Sequence, residues 1–326
     1  MVGRSLVVCP VDASNPTGGA TVVAHAFARV LGGGLHLLHV SRAGEEAPPP
    51  QARDWLDDPA GNESGIRLRR VVASADPAEA IARYALREGA AAIVIDARYG
   101  GSRQWRRGRP VARHLARSAP CSVLVVPAGG DSRAAVVHPP FREIVCAVDF
   151  TPASVAASQA ALALAQSARG RLILVHSLPT DPFRMVFSGG EALRYLHDYE
   201  ARAAEASARL MRLVPVRERG LCRVEPFVIS GPPHRMILRV ASEAKADLIV
   251  MGPGPRSAAE EPLAGSTSRG VLRRASCPVL LVRGPIPATE ARPALFGWER
   301  EGSPQKIAAM AGRAAARAGG SAAALH

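Results

Sequence analysis

The sequence predicts an α/β fold made of two tandem doubly wound parallel sheets, Rossmann-like in layout. Three observations lead there. The apolar runs are short, rich in Val, Ile and Leu, and lack period-two alternation, as strands buried on both faces do. They alternate with helical patterns, which calls for right-handed βαβ crossovers. The whole pattern is also written twice in the 326 residues, a length that accommodates two domains.

The first strand is SLVVCPVDAS at 5–14, repeated as EIVCAVDFTPAS at 143–154. Cys9 pairs with Cys146 and Asp12 with Asp149, both 137 residues apart. A helix, a glycine break and a second strand follow, AFARVLGGGLHLLHV answering ALAQSARGRLILVHS, with His39 opposite His176. LGGGL follows a helical pattern and reads as a helix end, not as a dinucleotide fingerprint. The third strand, its helix and the fourth strand recur at an offset of 156, Ile81 with Ile237 and Ile93 with Ile249. CSVLVV and CPVLLV close the two copies, Cys121 opposite Cys277. The offset grows by 19 because copy two carries an extra segment, read as a long helix from Gly190 to about Leu213. Expected domains are 1–130 and 141–284, joined by a glycine- and proline-bearing linker. A basic, alanine-rich tail at 285–326 is expected to be poorly ordered.

Net charge is +13, nearly all arginine, with lysine only at Lys245 and Lys306. Such a surface attracts polyanions, but no aromatics interleave with the basic residues as single-strand binding requires. The charge is read as compositional drift, and nucleic acid is not expected as a partner. Five scattered cysteines form no disulfide framework or metal spacing. No run reaches the ~18 apolar residues of a membrane span. A cytoplasmic protein without a metal site or membrane contact is expected. No triad order, H-E-x-x-H or Walker sequence is found, and the expectation is no enzyme, at most a slow ATPase.

Residues 251–282, MGPGPRSAAEEPLAGSTSRGVLRRASCPVLLV, carry a resemblance. With ADLIVMG before it, Gly-Ser within it and CPVLLV at its end, and with the pattern met twice, the chain resembles the universal stress protein family in its tandem form. That resemblance implies nucleotide binding, ATP with or without Mg²⁺, on this loop and the helix it opens. It also implies that the closing strands pair the two domains about a pseudo-twofold axis. Dimers of tandems and an unknown protein partner stay open. Physically, glycines admit backbone amides close to phosphate, and a helix start adds free N–H groups. The implied site is Asp149 for ribose, Ser177 near the base, and Gly252, Gly254, Gly265, Ser266 and Thr267 for phosphate. Pro255 stands where the family pattern has glycine, which removes one N–H, and Glu260 and Glu261 share the loop. Copy one departs further: Asp96, Tyr99, Arg109 and Pro110 occupy the corresponding positions. A nucleotide-free scaffold and a basic polyanion binder are the alternatives.

Overall fold

The computed structural model describes residues 5–11, 19–42, 66–73, 76–99, 111–127, 141–179, 190–218, 220–254 and 266–283. The linker core, the tail, Asp12 and the loop 255–265 lie outside them. The division between the two compact units falls between Pro139 and Pro140, and the second closes at Ile286.

The first unit runs β1 (Leu6–Val11), α1 (Gly19–Val30), β2 (Gly34–Arg42), β3 (Ile66–Ala73), α2 (Pro77–Arg87), β4 (Ala90–Asp96), α3 (Val111–Ser118) and β5 (Ser122–Val126). Its strands are parallel in the order β3-β2-β1-β4-β5. The second unit runs β6 (Glu143–Ala147), α4 (Pro152–Ala168), β7 (Arg171–Leu178), α5 (Gly190–Arg212), β8 (Arg223–Ser230), α6 (Pro233–Glu243), β9 (Leu248–Met251), α7 (Ser266–Arg274) and β10 (Val279–Leu281). It repeats the order as β8-β7-β6-β9-β10, again parallel. The strand order reverses direction beside β1 and beside β6. Open α/β sheets bind ligands at the carboxyl ends of such strands.

Local chemistry explains the element bounds. Asp76 caps α2 by accepting from the Ala78 N–H at 2.9 Å, with Pro77 in the first turn. Thr151 caps α4 in the same way, its hydroxyl oxygen accepting from the Ser154 N–H at 3.3 Å. Gly33 and Gly170 occupy one position in the two copies. A Cβ on Gly33 would run into the Ser5 carbonyl, and one on Gly170 into the backbone of Arg142. Each glycine lets the second strand of its sheet start flush against the first. The strand cores are almost wholly Val, Ile, Leu and Cys, with Val7, Ile93, Val145 and Leu248 at 0% exposure. All five cysteines are free and buried. Burial pushes the Cys9 thiol up to about 12, outweighing a hydrogen bond from Thr21, so it packs as a small hydrophobe.

The extra segment of copy two forms α5 as expected. Among its described side chains, the last turns touch the core: Ala206 and Leu210 are buried, whereas 197–205 are exposed or half-buried. Among the described residues no helix is long and apolar enough to cross a membrane.

Candidate functional site

The carboxyl end of the second sheet is built around Asp149, two residues beyond β6. Its Oδ1 accepts from the Thr151 backbone N–H at 3.0 Å and from the Thr151 hydroxyl at 2.6 Å. The Asp149 N–H donates to Ser154 Oγ at 3.3 Å. Partial burial pushes the carboxyl up, but hydrogen bonds from Thr151 and Ser154 outweigh it and hold Asp149 below its ordinary value. The result is a fixed, ionised and exposed carboxylate.

Phe150 follows with φ of 63°, a conformation a bulky side chain rarely adopts. Its ring lies 4.6 Å from that of His176, and the Arg209 guanidinium of α5 stands over it at 4.0 Å. His176 Nδ1 lies 2.8 Å from the Val148 carbonyl, which accepts when that nitrogen carries the proton. The inserted helix thus reaches the residue next to Asp149 through one cation–π contact.

Ser177, near the end of β7, donates its hydroxyl to the Gly231 carbonyl at 2.6 Å. Its proton is committed to joining β7 to the turn after β8, and its oxygen remains available only as an acceptor. Gly252 follows β9. A Cβ there would come within 3.1–3.2 Å of Ala153 and the Ser154 amide. The glycine therefore brings the start of the loop against the first turn of α4, beside Asp149. Gly254 has φ of 72°, which glycine adopts without strain. Ser266 opens α7 and Thr267 is half-buried behind it. Gly265 lies outside the described residues. Ser154 thus links Asp149 to Gly252.

Thr151 and Ser154 escaped the sequence reading as site residues, although DFTPAS carries their signal: a Thr cap before Pro in the first turn. Phe150 and Arg209 had no local signal, because their contact depends on where α5 docks.

Copy one is built differently at the same place. Asp96 takes the position of Gly252, and its Oδ1 accepts from the Arg98 N–H at 2.7 Å. The carboxylate closes its own turn where copy two has bare backbone. Asp76 is engaged by His114, Nδ1 lying 3.0 Å from Oδ2.

Both halves match the universal stress protein family, over residues 4–127 and 140–283. A universal stress protein of Thermus aquaticus is 35% identical over 144 residues, 44% of this chain and 99% of that protein. The crystal structure of a universal stress protein from Archaeoglobus fulgidus covers 85% of this chain and 96% of its own, with 18% identity and a TM-score of 0.54. A functionally unknown protein from Pseudomonas aeruginosa PAO1 covers 86% and 92%, with 19% identity and a TM-score of 0.59. Matched by its family in each half and sharing the fold of these neighbours across both, the chain belongs to the universal stress protein family as a tandem member.

Proposed function

We propose that the protein is a cytoplasmic regulatory nucleotide binder, taking ATP, with or without Mg²⁺, or a related nucleotide in its second domain. The observation that carries this reading is Asp149. An ionised, exposed carboxylate, linked through Ser154 to the glycine turn that leads toward α7, suits a pair of ribose hydroxyls. Ser177 supplies an acceptor at the end of the next strand. Gly252, Gly254, Gly265, Ser266 and Thr267 form the phosphate side, where amides and a helix start favour anions. Bound Mg²⁺ would add charge neutralisation on the phosphates. Little or no turnover is proposed, because His176, the imidazole beside Asp149, is packed on Phe150 and sits against a backbone carbonyl. The first domain is proposed to hold no nucleotide, since the Asp96 carboxylate would repel phosphate.

Titration calorimetry with ATP and Mg²⁺ at two salt concentrations tests this. One site per chain is expected, abolished by Gly265→Asp and weakened roughly 10- to 100-fold by Asp149→Asn, the effect of losing a charged hydrogen bond. Gly265→Asp binding like the wild type, or no heat from either protein, would overturn the reading. The latter would leave a scaffold whose loop was closed by Pro255.

A further inference from the structure

The two copies provide an internal comparison at the paired helices α2/α3 and α6/α7. In copy one, Arg83, Arg87 and His114 on these helices have acidic partners, while Arg113 and Arg117 are exposed and have none among the described residues. Arg83 meets Glu79 at 3.9 Å, Arg87 meets Glu88 at 3.1 Å, and His114 meets Asp76. In copy two, at the same offset, Asp76 becomes Pro232, Glu79 becomes Arg235 and Ser118 becomes Arg274. Arg269 and Arg273 stand where copy one has Arg113 and Arg117. Arg235, Arg269, Arg273 and Arg274 are all exposed, and none has a carboxylate partner among the described residues. Arg239 alone is matched on this helix pair, by Glu243 at 2.7 Å.

The helices are close enough to merge these charges into one patch. Gly270 of α7 sits against the His234 ring of α6, whose atoms lie 2.7–2.9 Å from where a Cβ would stand. Burial, then Arg274, Arg235 and Arg273, depress the pKa of His234, so their fields converge there.

Helix energetics account for only part of this. Arg273 and Arg274 complement the C-terminal dipole of α7. Arg235 sits in the first turn of α6, against the dipole, on a helix with no acidic residue in that turn and no side-chain cap. Folding gains nothing from an arginine there, beside three others.

We propose that the α6–α7 face binds the phosphodiester backbone of duplex nucleic acid without reading its sequence. Arginine forks match phosphate oxygens in pairs. Among the described residues the exposed large hydrophobics, Leu86, Val216, Leu221 and Phe227, all lie off these two helices. Among the described residues the face thus carries no exposed large hydrophobic for lipid to take up, and no Phe, Tyr or Trp on which single-stranded bases could stack. A protein partner would want a well-exposed apolar anchor, and Met236, Leu238 and Leu272 are all partly buried. The net charge of +13 adds long-range attraction.

Fluorescence anisotropy of a labelled random-sequence duplex with the full chain tests the assignment. Four phosphate contacts predict a log–log salt slope of about −3 to −4, roughly a 100-fold loss of affinity between 50 and 200 mM salt. The Arg235→Glu/Arg274→Ser variant, which restores the residues of copy one, should melt like the wild type and shallow the slope by about 2. An unchanged slope in that variant, or no duplex binding at 50 mM salt, overturns the proposal. So does binding to phosphatidylserine vesicles with none to duplex.

Discussion

Alanine at Gly170 is expected to destabilise the second domain by about 3 kcal/mol or more, as overpacking against unyielding atoms does. Alanine at Gly33 should do the same to the first. A Cβ at either site meets backbone, Ser5 in one copy and Arg142 in the other, and backbone cannot swing aside as a side-chain tip can. Domains have only about 5–15 kcal/mol in total, so each substitution should remove a large part of one domain's stability. The sign is the reverse of the usual Gly→Ala effect, a gain of about 0.4–1 kcal/mol where the backbone permits it. Gly220, with nothing within 4 Å of its Cβ position, is the control. Alanine there should stay within about 0.5 kcal/mol of wild type. Urea unfolding followed by hydrogen exchange would show which half melts early. Equal losses in both halves from Gly170→Ala would contradict the argument.

The second large effect is acid stabilisation through Asp247, the residue that leads into β9. Burial pushes its carboxyl up from 3.8 to about 6, helped by the nearby Glu143 charge and opposed by the Arg142 and Glu143 N–H groups. Those N–H groups donate to Oδ2 at 2.7 and 3.2 Å. Because the folded value is above the unfolded one, the contribution is fully present below about pH 4 and is lost as pH rises through about 6. The difference between those limits is roughly 3 kcal/mol. Asp149 and Glu225 are shifted the other way and lose their contribution on acidification, so the wild-type profile is a sum of opposing slopes. The comparison with Asp247→Asn isolates the residue. The variant should be more stable than wild type at pH 7.5, with the gap closing by pH 4. A gap independent of pH would show that Asp247 does not titrate in this range.

Much of this architecture was legible because the chain repeats itself. Offsets of 137 and 156 located every strand pair, and the length of the insertion located α5. The role of the glycine breaks was only partly legible. Gly32 and Arg169 do end their helices with positive φ, but the glycine that follows each is required by a strand approaching from another part of the chain. Asp149 was legible as a candidate from its place at the end of a strand. The commitment of Ser177 to Gly231, and of Arg209 to Phe150, was not, because each joins residues that only the crossovers bring together. The unmatched arginines were invisible for the same reason. Composition reports how many positive charges there are, and only the helix pairing reports which of them have been left without acids.

The glycine locks at Gly33 and Gly170 also bear on how such a protein changes over generations. Each half keeps its sheet closed with a device at the amino end of its strands, while the turns proposed to face a ligand sit at the opposite end. After a duplication, one half can therefore change residues in these turns, as with Asp96 at the position of Gly252, without loosening the scaffold. Inheritance of the fold and inheritance of the pocket are separable within a single polypeptide, and the copy released from the older task becomes raw material for another.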